Sequence, residues 1–408
     1  MAIKIDPRAL VRASGGPRYA VALAVDALGT GLLRPFLLLY GVTVLDLSAP
    51  ATGVAMTVGV VVGLVCMPWV GRWLDRGARS TVVAASMLVR VLGAVVLLVT
   101  PAGDVWLFGA AALFLGVGNQ AFPAAHAALV STVAHGRERD AALAGGRSLR
   151  NAGLGVGALV ATACLAGGAT ALQVLAAGTG VAYLVAAGLA WSVRVHADPA
   201  GGADEPGEVP GMWGLLGANV VYVFCLNVPE IALPLILVTQ LHASPVWSAA
   251  IFVANTVLVV ALQVPVTVAL SRLSRRTVLA LAGVVLAGSY LGFLVATSLG
   301  QWGAAAVAVV SVVCTLGEIL YAGSATALVT ALAPPRVLGR TLARFELSSG
   351  FGLAVSPAVI TGLAAHGPTA LWGSLAAATL LSAGAVTRDG GSAAARAVLS
   401  PVTRDGTR

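Results

Sequence analysis

Charge is scarce in this chain: of 408 residues only 10% are Asp, Glu, Lys or Arg, while 58% are hydrophobic. With a mean hydropathy of +0.94, that excludes an ordinary soluble domain. Aromatic residues are few, 6% against 49 glycines, a balance suited to membrane helices packed through small side chains. The cysteines, Cys66, Cys164, Cys225 and Cys314, have neither zinc-ligand spacing nor a disulfide framework and read as buried thiols. His135, His196, His242 and His366 fall in connections and suggest no metal cluster. A glycine-rich phosphate loop ending in Lys-Ser/Thr is missing, so ATP is not expected to drive the protein, and no enzyme constellation or cofactor is expected. The net charge of +8 is spread over many connections rather than one patch, which argues against nucleic acid. A polar N-terminal arm followed by a long apolar span does not read as a cleaved leader.

What the chain does have is a pattern of arginines. It contains one Lys and twenty-three Arg, and apart from Arg34 and Arg90 they group at Lys4–Arg18, Arg72–Arg79, Arg137–Arg150, Arg194, Arg272–Arg276, Arg336–Arg344 and from Arg388 onward. Between successive groups lie two apolar spans joined by a connection free of Lys and Arg. The positive-inside rule turns this alternation into twelve membrane helices with both ends cytoplasmic. The expected spans are 19–41, 51–70, 81–100, 105–128, 148–165, 171–193, 213–240, 246–270, 277–298, 302–328, 342–364 and 369–387. Such a chain belongs in a cell's inner (plasma) membrane, and the same cations favour anionic lipid heads.

A Pro-, Gly- and acid-rich stretch separates the sixth span from the seventh and cannot hold a helix. The expected organisation is therefore 1–193 as a first six-helix bundle, 194–212 as a cytoplasmic linker, 213–387 as a second bundle and 388–408 as a tail. The halves align without gaps at an offset of 199 residues: Pro35 on Pro234, Leu74–Asp75–Arg76 on Leu273–Ser274–Arg275, Arg137 on Arg336 and Gly153 on Gly352. The fold class expected is all-α, two pseudo-symmetric bundles of six membrane helices. A six-plus-six repeat is a transporter signature, with access alternating as the halves rock.

The connection after the second span reads Gly71-Arg72-Trp73-Leu74-Asp75-Arg76-Gly77-Ala78-Arg79. Gly71, Asp75, Arg76 and Arg79 resemble the loop 2–3 signature of the major facilitator superfamily, although its second Gly is displaced to Gly77 and Trp73 stands where Leu is usual. The whole pattern resembles the twelve-helix drug/proton antiporter branch. It departs from that branch at Ala112, where an Arg is common, and in the fifth helix, where Asn151–Gly157 has no Gly-Pro pair. The resemblance implies that contacts of this loop latch the halves on the cytoplasmic side. Physically, Asp75 suits backbone N–H groups at a neighbouring helix N-terminus, and the arginines suit acids or helix C-termini.

Ionisable residues inside lipid are costly and so mark function. Those set well inside the spans, away from the arginine groups at their ends, are Asp26, Arg34, Arg90, Glu230 and Glu318. In the superfamily resembled, helices 1, 4, 7 and 10 line the central cavity, which implies a polar cavity holding Asp26, Arg34, Glu230, Glu318, Asn119 and Gln120. Glu318, the repeat partner of Asn119, lies roughly 24 Å along its helix and is the leading proton- or substrate-coupling acid. Arg34 and Glu230 fall at similar depth and are expected to pair as an outer switch. Asp26 is a second carrier, a cation contact or the cap of a turn near Gly29 and Gly31. Arg90 is expected to snorkel to the lipid heads, and His126 to be a hydrogen-bonding side chain. Asn227, Tyr222 and Tyr321 are the expected substrate contacts.

Taken together, the sequence reads as a monomeric secondary transporter exporting a small lipophilic or amphipathic compound in exchange for protons. Two alternatives stand beside it: uptake of a small metabolite by proton symport, and a non-transporting sensor of the same fold. Abundant Arg, Asn and Gln in the cavity would favour sugar or organic-anion uptake; few such residues fall within the spans.

Overall fold

The computed structural model describes residues 7–196 and 211–399, and every regular element among them is helical. Eleven stretches of the described residues are long and apolar enough to cross a membrane. One of these, Gly136–Ser192, has 57 residues, about 85 Å of helix against a hydrocarbon core of roughly 30 Å. It is two helices, parted by the turn Leu165–Gly167 and by Gly168 at φ 61°, a conformation that favours glycine. Among the described residues the crossings thus number twelve: α1 (Pro17–Thr43), α2 (Ala49–Asp75), α3 (Arg79–Val99), α4 (Val105–Val133), α5 (Gly136–Cys164), α6 (Gly168–Ser192), α7 (Trp213–Thr239), α8 (Pro245–Ala269), α9 (Arg275–Ala296), α10 (Gly303–Leu332), α11 (Leu338–Ala365) and α12 (Ser374–Leu399). A short helix, Pro7–Ala13, precedes them.

Local chemistry sets the helix starts. Asp104 Oδ1 accepts from the N–H groups of Trp106 and Leu107 at 3.0 Å, and Ser274 Oγ accepts from Thr277 N–H at 3.1 Å, satisfying donors that a helix N-terminus leaves open. Prolines set the irregularities. Pro35 sits in a 3₁₀ turn, Arg34–Phe36, inside α1. In α7, Pro229 lies in the π-turn Val228–Ala232 and Pro234 opens the regular segment Leu233–Thr239. Each proline lacks the N–H that a continuous helix requires, so the matched prolines of the repeat interrupt matched helices.

The outer faces are apolar, as lipid demands: Val54, Val58, Val61 and Val65 form an exposed stripe at helical spacing along α2. The inner faces carry small residues. A Cβ on Gly31 of α1 would strike the backbone of Leu154 and Gly157 in α5, so the pair approaches as only glycine allows.

The chain forms two compact units. The first comprises Met1–Pro210, Phe252–Ser271 and Ala325–Phe351; the second comprises Gly211–Ile251, Arg272–Ser324 and Gly352–Arg408. In the first, α1 packs on α5 and α6, α3 on α4 and α6, and α2 on α4. In the second, α9 and α7 both pack on α12, matching the α3–α6 and α1–α6 pairs of the first half.

Two boundaries differ from those expected. The fifth helix opens at Gly136, not 148, so Arg137, Arg139 and Arg147 lie on a helix rather than in a connection. Ala, Arg and Glu are good helix formers, and falling hydropathy marks where an apolar stretch stops, not where a helix does. The final helix likewise continues past 387 to Leu399. Linker residues 197–210 and tail residues 400–408 lie outside the described residues.

Candidate functional site

A cluster of charges lies inside the first unit near mid-depth of its helices. Asp26 is about 13 Å along α1, Arg90 about 16 Å along α3 and Arg150 about 21 Å along α5. Arg90 Nη2 is 2.5 Å from Asp26 Oδ1, and the two side chains are 0% and 1% exposed. Arg150 Nη1 is 3.7 Å from the other oxygen of Asp26 and its side chain is 24% exposed. Arg90 also donates to the Ser86 carbonyl and to Thr30 Oγ1, to which Tyr183 donates as well. Its guanidinium lies 4.4 Å from the Tyr183 ring centre and 5.3 Å from that of Phe122, while Arg150 lies 4.9 Å over Phe122. Arg90 therefore does not snorkel to the lipid heads: a carboxylate closer than any head group draws it inward, and an isolated buried charge would be far more costly. Nor does Asp26 cap an irregular turn; α1 is regular until Arg34, and Gly29 and Gly31 serve close packing against α6 and α5. His126 of α4 stacks between Tyr19 and Phe122 and shares a 3.0 Å hydrogen bond between its Nδ1 and the Tyr19 hydroxyl.

At the arginine-rich end of the same unit, Asp75 closes α2 and reaches the first turn of α11. Its Oδ1 accepts from the Gly339 N–H at 2.6 Å and its Oδ2 from Arg340 Nε at 2.7 Å. A carboxylate at a helix N-terminus meets open N–H groups and the positive end of the helix dipole. Gly71 and Gly339 let the two helices touch, because a Cβ on either would fall on the other's backbone. Arg79, 2% exposed, donates to the Leu74 carbonyl at 2.8 Å and so closes the C-terminus of α2. Arg76 is exposed. Gln120 of α4 lies beside Gly63 and Gly350, and Asn119 Oδ1 is buried with no hydrogen-bond partner among the described residues.

The second unit holds a different cluster. Glu318, 6% exposed, lies about 22 Å along α10. One turn later the Tyr321 hydroxyl donates to Asn219 Oδ1 at 2.8 Å, and its ring stacks 5.6 Å from that of Tyr222. The buried Tyr222 hydroxyl has no hydrogen-bond partner among the described residues. Asn227 donates to Ser356 Oγ at 2.5 Å. Tyr290 and Cys314 lie within electrostatic reach of Glu318. Arg34 and Glu230 are both exposed, each on the irregular turn of its helix.

Sequence reasoning passed over three charged residues that belong to the first cluster: Arg147, Arg150 and Glu346. Glu346, on α11, lies within electrostatic reach of Arg147 and Arg150. Charges close to the end of an apolar span read as interfacial. The repeat carried a signal, however: Glu346 is the offset partner of Arg147, opposite charges at matched positions. Among the described residues no three His, Cys, Asp or Glu side chains come together as a metal site.

The family model described as Major Facilitator Superfamily matches residues 19–357. No curated protein matches the chain. Among solved structures, the human organic anion transporter MFSD10 (TETRAN) is similar with a TM-score of 0.68 at 15% identity, covering 94% of this chain and all of its own. A bacterial homologue of the iron transporter ferroportin, in an outward-facing state with soaked iron, is similar with a TM-score of 0.74 at 11% identity, over 91% of this chain and 98% of its own. At such identities these likenesses concern the fold.

Proposed function

The chain belongs to the major facilitator superfamily, and from that premise we propose that it exports a small amphipathic compound in exchange for protons, with Glu318 as the coupling acid. That it is a multi-pass membrane transporter rather than an enzyme follows from the family; cargo, coupling and direction are our reading. The observation that carries the reading is the placement of Glu318, a carboxyl group 6% exposed and one turn from the Tyr321–Asn219 hydrogen bond. A carboxyl that passes between a dry and a wet setting is the simplest proton carrier a membrane helix offers. Tyr222, Tyr321 and Asn227 supply aromatic faces and an amide for the substrate on the same unit. Asp26, held between Arg90 and Arg150, is assigned to charge pairing instead of proton carriage. The Asp75 contact with Gly339 and Arg340 is a latch between α2 and α11 on the arginine-rich side. We place that side in the cytoplasm of an inner (plasma) membrane, with both chain ends there, two six-helix halves and a monomeric working unit.

The test is flux into proteoliposomes under an imposed pH gradient, across a panel of lipophilic compounds, comparing the natural chain with Glu318→Gln. Gradient-driven flux should collapse in the variant while exchange without a gradient persists. Undiminished gradient-driven flux rejects Glu318 as the coupling acid. Accumulation with the gradient reversed would favour proton symport, the reading that the arginines inside the first unit make worth testing.

A further inference from the structure

We propose that the guanidinium cluster inside the first unit binds an anionic head group of the transported compound, a carboxylate or sulfonate, with Arg150 as its principal ligand. This rests on the transport reading above and names the substrate class. Two guanidinium groups, those of Arg90 and Arg150, face a single carboxylate, Asp26, which Arg90 holds at 2.5 Å and Arg150 at 3.7 Å. Positive charge held loosely at this depth is costly, so the guanidinium that Asp26 holds less closely is the one that an anion from outside the fold would suit. Arg90 is not available to one: it is fully buried, 2.5 Å from Asp26 and enclosed by Tyr183 and Phe122. Arg150 is available. Its side chain is 24% exposed, its nearest carboxylate oxygen is 3.7 Å away, and its buried Nη1 has no hydrogen-bond partner among the described residues. A planar guanidinium in that state suits a two-oxygen anion, and the Phe122 ring 4.9 Å beneath it offers an apolar wall.

Glu346 gives the site its logic. It comes from α11, the helix whose first turn Asp75 holds, and it lies within reach of Arg147 and Arg150. In this arrangement Glu346 stands in for the substrate and partly neutralises the arginines. An arriving anion takes its place on Arg150, and α11 is then released from one of the charges that hold it.

The full-length protein in detergent tests this by calorimetric titration with four probes of one aromatic body: 2-naphthoate, naphthalene-2-sulfonate, 2-naphthamide and 2-naphthyltrimethylammonium. The two anions should bind saturably and about tenfold or more tighter than the amide or the ammonium, and Arg150→Gln should weaken them by a similar factor. Arg150→Lys should fall between. Glu346→Gln should tighten anion binding several-fold, which a damaged fold cannot do. Absence of saturable anion binding, equal binding of the amide, unchanged affinity in Arg150→Gln, or unchanged or weaker affinity in Glu346→Gln overturns the proposal. Binding is read without a gradient, so a failure of the Glu318 flux test leaves this result standing, and the reverse holds.

Discussion

The two units solve the same problem, a polar interior within an apolar exterior, with different chemistry. In the first, Asp26, Arg90 and Arg150 form a buried ion cluster. At the offset of 199 residues their partners are Cys225 and Ser289 in the second unit and Ser349, which falls in the first; none of them is charged. In the second, the interior is organised by Glu318 and by hydrogen bonds such as Tyr321 to Asn219, while Glu318's own partner in the first half is the amide Asn119. The contrast repeats at the helix ends. Asp75 crosses to the first turn of α11, whereas its counterpart Ser274 only caps its own helix through Thr277. A duplicated scaffold thus keeps its backbone breaks, Pro35 and Pro234, and lets its ionisable groups diverge. Backbone geometry fixes how the halves fold; the charges are where they differ in task.

The ion cluster gives the sharpest way to break this comparison. Arg90→Met removes the closest partner of a fully buried carboxylate and should destabilise the protein by about 3–5 kcal/mol, read as a large fall in the thermal unfolding midpoint in detergent. Its counterpart Ser289→Ala removes only a hydroxyl bonded to its own helix at Val285 and should change stability by about 1 kcal/mol or less. Adding Asp26→Asn to Arg90→Met should recover much of the loss, since the cost lies in the unpaired charge. Equal sensitivity at positions 90 and 289 would contradict the division into an ionic and a hydrogen-bonded unit.

A smaller difference is expected at the helix ends. Asp75→Asn keeps the shape but gives up the charge facing Gly339 N–H and Arg340, at a cost of about 1.5–3 kcal/mol. Ser274→Ala loses an N-cap, about 1 kcal/mol. The two should also separate in function. Asp75→Asn frees α11 and should raise the accessibility of a cysteine placed at position 343 to a membrane-impermeant thiol reagent, which Ser274→Ala should leave unchanged.

The twelve crossings were legible because span length, proline position and arginine grouping are local properties that lipid enforces on every helix. The matched prolines, which in the sequence serve only to register the repeat, fall at the breaks in α1 and α7. Partnerships between helices were much less legible. Arg90 reads alone as a residue able to reach the lipid heads, because its sequence neighbours do not reveal that Asp26, sixty-four residues earlier, stands beside it. Arg150 was hidden by its neighbours: two residues inside the expected span and close to Arg137, Arg139 and Arg147, it reads as one of an interfacial group. The polar cluster around Glu318 was more accessible, since Tyr321 follows it by one helical turn, but Asn219 came from a helix that spacing alone could not bring near.

Two conservative changes in the second unit sharpen the comparison at its fine end. Tyr321→Phe deletes the hydroxyl that donates to Asn219 and should cost about 1 kcal/mol, with flux falling in step with stability if the bond only holds α10 against α7. Tyr222→Phe removes a buried hydroxyl that has no hydrogen-bond partner among the described residues, while the ring stacked on Tyr321 remains. Its effect on unfolding should be within about 0.5 kcal/mol, or slightly stabilising, because an unsatisfied polar atom leaves an apolar setting. A substrate-facing hydroxyl gives a different signature: transport weakens, chiefly through KM, while the unfolding midpoint stays where it was. Loss of stability without loss of transport would instead mean that the Tyr222 hydroxyl serves the fold alone, and the second unit would then contact its substrate through Tyr321 and Asn227.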